Sequence, residues 1–304
     1  MLLMAVEKGS LSSAAREMRV PVPTLSRKVA ELEALIGTKL LVRTTRNLTL
    51  TDAGVSYVTA ARRILEEVEE AERDAAGEFQ TPRGTLVVTA PNLFGRLFLL
   101  PIVSDFLAQF PEINVRLLLD DRYLNLVDEH IDMAVRLGNL PDSDLIATRI
   151  GTMRMIVCGT PGFLSAQGTP RSIEDLQRIP CLFNKNQMAV SGWRLRDPKT
   201  GGLLDVPLTP RLATSNEATA DAAIRGIGLA NLPYYQAYEA LADGRLQAVM
   251  EEYQAEPGAV HLVHASRGQL PLKTRRFLDF AGPRLRQELV RYGTEAIGRT
   301  SSPP

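Results

Sequence analysis

Cysteine is nearly missing from this chain, and nothing in it resembles a membrane span. Only Cys158 and Cys181 occur among 304 residues. Two cysteines cannot build the disulfide framework of a small secreted protein, and the C-x-x-C and Cys/His spacings of metal sites are absent. The three histidines, His130, His261 and His264, have no metal-ligating spacing either. No apolar run approaches the roughly 20 residues that cross a bilayer. The opening "MLLMAVEKGSLSSAA" has too short an apolar patch and no basic leader for a signal peptide. There is no G-x-S-x-G, no H-E-x-x-H and no paired-carboxylate motif, so the common hydrolase chemistries lose their signatures. Cys158 lies inside the apolar "MRMIVCGTP", where an inert buried thiol is expected rather than a nucleophile. Gly226 and Gly228 in "GIG" lack the rest of a dinucleotide fingerprint and read as a turn. These absences point to a cytoplasmic protein that is not an enzyme and needs no metal or cofactor.

Net charge is absent too, but the zero conceals an asymmetry. Residues 1–51 carry eight basic side chains against four acidic ones, and residues 52–80 carry three against eight. A basic head followed by an acidic segment suits nucleic-acid binding by the head alone. At 45% hydrophobic and 23% charged, the composition is that of an ordinary globular protein, and 304 residues suffice for two domains.

The basic segment predicts three short helices. After a first helix over about 1–7, Ser10 is placed to cap a second, whose Leu11, Ala14, Ala15 and Met18 fall on one face. "RVPVP" is a turn. Val22 precedes a proline and is pushed toward extended geometry, so Pro23 is expected as the first residue of the third helix. Leu25, Val29, Leu32 and Leu35 or Ile36 form its buried stripe, and Gly37 ends it. Its other face shows Thr24, Ser26, Arg27, Lys28 and Glu31. Helix, tight turn and second helix with a basic face form a helix-turn-helix, with the helix start entering the major groove. The N–H groups of the first turn are then expected to be open to a phosphate. "TKLLVRTTRNLTLT" predicts two short strands, whose Arg43, Thr44, Thr45 and Arg46 form a wing on the DNA backbone. A long helix follows over about 55–80, with Val58, Ala61, Leu65, Val68, Ala71 and Ala75 as a thin stripe suited to pairing with a second copy.

"GSLSSAAREM…PTLSRKVAELEALIGTKLLVRTTRNLTLTDAG" resembles the N-terminal domain of LysR-type transcriptional regulators. Where many members have Ser-Gln before the proline, this chain has Pro21-Val22, which removes a frequent polar DNA contact. The resemblance implies a winged helix-turn-helix head over 1–54, a linker and dimerisation helix over 55–80, and a hinge over 81–84. It also implies a two-lobed α/β regulatory region like the type 2 periplasmic binding proteins, with one subdomain over 85–160 and 262–292 and the other over 161–261. Residues 293–304 are expected as a disordered tail. The residue pattern agrees: "TLVVTA", "INVRLLLD", "MAVRLG", "MRMIVCGTP" and "AVHLVHA" read as strands, and helices are expected at "RLFLLPIVSDFLAQFP", "NLVDEHI" and "EATADAAIRG". This alternation predicts parallel sheets with crossover helices. The last helix is expected to bend or break at Gly282-Pro283, and Trp193 to pack a hairpin.

Ligands of two-lobed α/β domains sit in the cleft, at strand ends and helix starts. "TAPN" and "ATSNEA" are such places, which makes Pro91, Asn92, Thr214, Ser215 and Asn216 effector candidates, with Arg136 as a charge partner. Two helix N-termini favour a small anion. The expected partners are double-stranded operator DNA, a small effector, a second copy of the chain in a dimer extended to a tetramer, and RNA polymerase if the protein activates.

Overall fold

The computed structural model describes residues 1–43, 48–75, 81–138, 140, 143–184, 191–265 and 270–293. The chain divides into two units, Met1–Thr81 and Pro82–Pro304.

The first unit holds α1 (Leu2–Glu7), α2 (Leu11–Glu17), α3 (Val22–Ile36), β1 (Leu41–Arg43), β2 (Leu48–Leu50) and α4 (Asp52–Ala75). Ser10 Oγ accepts from the Ser13 N–H at 3.5 Å and starts α2. Alanines at 5, 14 and 15 let the helices approach closely, and Leu2, Leu25, Val29, Leu40, Leu41 and Val58 complete a small core. β1 and β2 pair antiparallel, Leu41 opposite Leu50 and Arg43 opposite Leu48. Thr51 links this wing to α4: its hydroxyl donates to the Lys39 carbonyl at 2.7 Å and accepts from the Gly54 N–H at 2.9 Å. A side chain at Gly54 would run into the Leu40 carbonyl, so β1 and α4 can meet only over a glycine.

The second unit has two lobes. The first contains β3 (Gly84–Ala90), α5 (Asn92–Phe94), a π turn over Gly95–Leu99, α6 (Leu100–Gln109), β4 (Ile113–Leu119), β5 (Met133–Leu137) and β6 (Leu145–Met153). The chain then builds the second lobe from β7 (Met155–Gly159), α7 (Pro161–Gln167), α8 (Ile173–Leu176), β8 (Cys181–Asn184), β9 (Gly192–Arg196), β10 (Leu203–Pro207), β11 (Pro210–Thr214), α9 (Asn216–Ile224), β12 (Leu229–Pro233), α10 (Tyr234–Ala242) and β13 (Gln247–Val249). It returns through β14 (Gly258–Ala265) and α11 (Leu272–Gly293). The sheet orders are β4-β3-β5-β14-β6 and β11-β8-β12-β7-β13, and β9 and β10 form a separate hairpin. Trp193 is buried in that hairpin opposite Val206.

Several expectations need correction. The sheets are mixed, not parallel: β14 runs antiparallel to β5 and β6, and β7 antiparallel to β12 and β13. The reason is the double crossing between lobes, which feeds strands into each sheet from the other lobe. The first crossing falls at Arg154 rather than at 160, because β6 and β7 are almost one strand divided between two sheets. β14 already belongs to the first lobe from Gly258, ahead of the expected 262. "NLVDEHI" is not a helix. The Asn125 side-chain oxygen accepts from the Val127 N–H at 3.0 Å, and the Ile131 N–H closes back on the Leu126 carbonyl at 2.8 Å, making turns instead. α11 continues through Pro283; the following Arg284 donates to the Phe280 carbonyl at 3.0 Å and lies over the Phe280 ring. The lobes are joined by more than their crossings. Phe94 and Phe98 of the first lobe meet Tyr235 of the second edge-on, with centroids 5.9 and 5.6 Å apart.

Candidate nucleic-acid interface and effector cleft

α3 begins one residue earlier than expected, at Val22, with Pro21 as its N-cap. Proline at the second helical position costs no hydrogen bond, because that N–H would be unpaired anyway. It also trims the phosphate site inferred from sequence. Pro23 has no N–H, and the Thr24 N–H is donated to the Pro21 carbonyl at 3.0 Å. Val22 therefore carries the open backbone donor of that turn, and side chains must supply most of the contact.

Pro23, Arg27 and Lys28 are exposed, Thr24 and Ser26 are half-buried, and Leu25 and Val29 are sealed beneath them. Glu31 ties both cations to the helix: Lys28 Nζ lies 2.8 Å and Arg27 Nε 3.6 Å from its carboxylate. The bond from Lys28, outweighing desolvation, together with the two positive charges holds the Glu31 carboxyl below its ordinary pKa. Arg27 and Lys28 are thus steered but remain in solvent, where a stronger anion can replace Glu31.

The end of α3 differs from the predicted stripe. Leu35 is 85% exposed, and the buried position is Glu33, only 5% exposed. The spacing 25, 29, 33 faces the core, and an acid among leucines gave no sign that it does. Glu33 Oε1 accepts from the Leu40 and Leu41 N–H groups at 3.0 and 3.1 Å, and Oε2 from Lys39 Nζ at 2.7 Å. Burial alone would raise the Glu33 pKa, but the Lys39 bond and the two backbone donors outweigh it and hold the carboxyl low. The chain reverses between them at Gly37, which has the left-handed φ of 75°. This carboxylate fixes the first wing strand to the recognition helix. Arg43 closes that strand, while Thr44, Thr45 and Arg46 lie outside the described residues.

On α4 the predicted pairing stripe divides in two. Val58 is 4% exposed and belongs to the head's own core, so it is removed from the dimer seam. It sits only seven residues into a helix whose first turns pack on the head. Ala61 is half-buried, and Ile64, Leu65 and Val68 stand exposed.

In the regulatory region, Pro91 and Arg136 share a recess at the carboxyl ends of β3, β4 and β5, together with Asp121 and Tyr123. Arg136 is 8% exposed, donates to the Leu124 carbonyl at 2.9 Å and lies 5.1 Å from the Tyr123 ring. The Asn92 N–H, expected to meet a ligand, already donates to the Asp121 carboxylate at 3.0 Å. In the second lobe Ser215 caps α9, its Oγ accepting from the Ala218 N–H at 3.4 Å; Thr214 and Asn216 flank it half-buried. Those three residues do not line the first-lobe recess. Burial pushes both thiols, Cys158 and Cys181, up to about 12, which leaves them unreactive at neutral pH. Among the described residues, no group of His, Cys, Asp and Glu could hold a metal, and no helix is long and apolar enough to cross a membrane.

A helix-turn-helix with an exposed basic face, joined to a two-lobed α/β region, defines a ligand-responsive DNA-binding regulator. Comparison with known proteins agrees. Residues 1–55 match the bacterial regulatory helix-turn-helix proteins of the lysR family, and residues 79–286 match the LysR substrate binding domain. The chain is 32% identical over 280 residues to the probable HTH-type transcriptional regulator LtrA of Klebsiella pneumoniae, covering 90% of each. It is similar to the solved structure of CrgA, a LysR-type transcriptional regulator from Neisseria meningitidis, at 31% identity and a TM-score of 0.59, covering 94% of this chain and 96% of that one. Full-length AphB, the Vibrio cholerae virulence activator, is similar at 26% identity and a TM-score of 0.60, covering 96% of this chain and 97% of that one. The chain belongs to the LysR family of transcriptional regulators. It is a DNA-binding regulator rather than an enzyme, with a C-terminal region of the kind that binds small-molecule effectors.

Proposed function

We propose that this regulator grips its operator with the first two turns of α3, through Pro23, Thr24, Ser26, Arg27 and Lys28, and that the wing at Arg43, Thr44, Thr45 and Arg46 follows the DNA backbone. The observation that carries this reading is the division of α3 into a sealed face at Leu25 and Val29 and an open basic face at Arg27 and Lys28. Two copies pair along α4 through Ala61, Leu65 and Val68, so the operator is a two-fold-related pair of half-sites. Two such dimers join through their regulatory regions into a tetramer. The protein works in the cytoplasm, and contacts RNA polymerase where it activates. A small effector with an acidic group enters the inter-lobe cleft, touched by Pro91, Asn92 and Arg136 from the first lobe and by Thr214, Ser215 and Asn216 from the second. It shifts the lobes only through unequal affinity for two arrangements, and a coupling of about 1–3 kcal/mol suffices.

The test is selection of bound sequences from a random DNA pool, with wild type, Arg27→Ala and Lys28→Ala. A base contact relaxes the preference at one position and costs about 1–3 kcal/mol; a phosphate contact weakens all sequences alike and flattens the salt dependence. Folded variants that select the same sites with unchanged affinity would refute the assignment.

A further inference from the structure

The middle strand of the second crossing carries a pattern that the cleft reading does not use. β14 lies between β5 and β6. His261 stands directly opposite Arg136 on one side and Arg149 on the other. Directly opposed residues project to the same face with Cβ atoms about 4.5–5.5 Å apart, so three basic side chains form one row. The pairing of β14 with β6 is irregular at this point: Val260 faces Gly151, and the next residue, His261, faces Arg149. Ile150 is the residue passed over, and it is buried. Regular pairing would have placed Ile150 opposite His261 and turned Arg149 to the other face. A bulge that re-aims one side chain is a feature found beside functional sites.

The row itself contains no acid. Like charges directly opposed across strands are destabilising. Among the described residues Arg149 is exposed and has no ion pair. The Nδ1 of His261 is buried with no hydrogen-bond partner among the described residues. Burial, then the charge of Arg149, holds the imidazole below its ordinary pKa. Of the nearby acids, Asp120 is engaged by Arg122 at 2.7 Å, and Asp132 accepts from the Val87 N–H at 2.7 Å. Arg136 is too deeply set for a polymer to reach, and it borders the recess at the strand ends.

We infer that Arg136, His261 and Arg149 form an oxyanion-binding row on the first lobe, which takes the carboxylate or phosphate group of a small molecule. The inference rests on the reading above that the effector carries an acidic group. It moves the anion's seat from the Asn92 helix start, where Asp121 already sits, to the sheet face. Arg149 supplies the exposed charge that draws the anion in, Arg136 a fixed guanidinium, and His261 a ring that gains a proton as the anion arrives.

The experiment uses the full-length protein with isotope-labelled histidine, titrated with inorganic phosphate and with benzoate. The expected result is movement of the His261 ring signals with at least one probe, a rise in the His261 pKa, and no change at His130. A response to phosphate alone or to benzoate alone identifies which oxyanion is preferred, and either supports the row. Arg149→Ala, at an exposed position, should not lower the thermal midpoint and should weaken the response about tenfold. Silence of His261 toward both probes, or an unchanged response in Arg149→Ala, overturns the row. Asn216→Ala separates the two ideas. If His261 responds fully in that variant, the row stands and the second-lobe contact fails. If probe binding depends on Asn216 while His261 stays silent, the cleft reading stands and the row fails.

Discussion

Glu33 in the head and Arg154 in the regulatory region are buried charges handled in opposite ways. In the head, the buried Glu33 carboxylate has every main demand met: two backbone N–H donors and one lysine. In the regulatory region, Arg154 is 9% exposed at the crossing between lobes, yet among the described residues its Nε and Nη2 have no hydrogen-bond partner. Its compensation is the Tyr234 ring, 3.6 Å from the guanidinium carbon. His261 and His264 likewise keep a buried Nδ1 without a partner among the described residues. A fully bonded charge holds a shape, whereas an unfinished one leaves energy to be gained from a ligand or a rearrangement. The first suits a DNA-reading surface that must be ready before it meets the operator. The second suits a region whose task is to respond.

The sharpest way to break this contrast is Glu33→Ala. It strands two buried N–H groups at about 1–3 kcal/mol each, so the head should lose about 2–6 kcal/mol and operator binding with it. Urea unfolding of the variant measures the loss. Next comes the pair Val58→Asp and Leu65→Asp. The first places a charge in the head's core and should unfold the head. The second should leave the head folded but separate the subunits, which sedimentation and circular dichroism together can read. Gly54→Ala should cost about 1–3 kcal/mol by forcing α4 away from the Leu40 carbonyl, visible as a lower melting temperature.

A smaller effect follows from acid. The folded pKa of Glu33 lies below its unfolded value of about 4.3. Its contribution is therefore complete above that unfolded value and is lost as pH falls through the folded one. The wild-type head should lose stability below about pH 4 more steeply than Glu33→Gln, whose amide does not titrate there. Equal slopes in acid would remove Glu33 from the account.

Much of the head was legible because its signals are local. Ser10, Pro21, Pro23 and Gly37 punctuate the helices through their own backbone chemistry, and the alternation of basic and apolar residues in α3 follows directly. Glu33 was not legible, since an acid at a core-facing position looks like a solvated one until its partners at 39–41 fold over it. Val58 failed for a similar reason: spacing marks a face of α4 but not what covers it. In the regulatory region the strands showed as apolar runs, but the mixed sheet directions depend on where the chain crosses between lobes, and no local pattern encodes that. The recess around Arg136 could be proposed from strand ends. The opposition of His261 to Arg149 depends on a one-residue bulge and could not.

The contrast between the two regions is tested most directly by the urea unfolding of Arg154→Met. Methionine keeps the apolar stem and contact with Tyr234 while removing two unpartnered buried donors. The regulatory region of this variant should be more stable than wild type by about 1 kcal/mol, the opposite sign to Glu33→Ala. Destabilisation by about 1 kcal/mol or more would mean that the guanidinium is fully compensated, and would contradict the claim that the charge buried at Arg154 is unfinished.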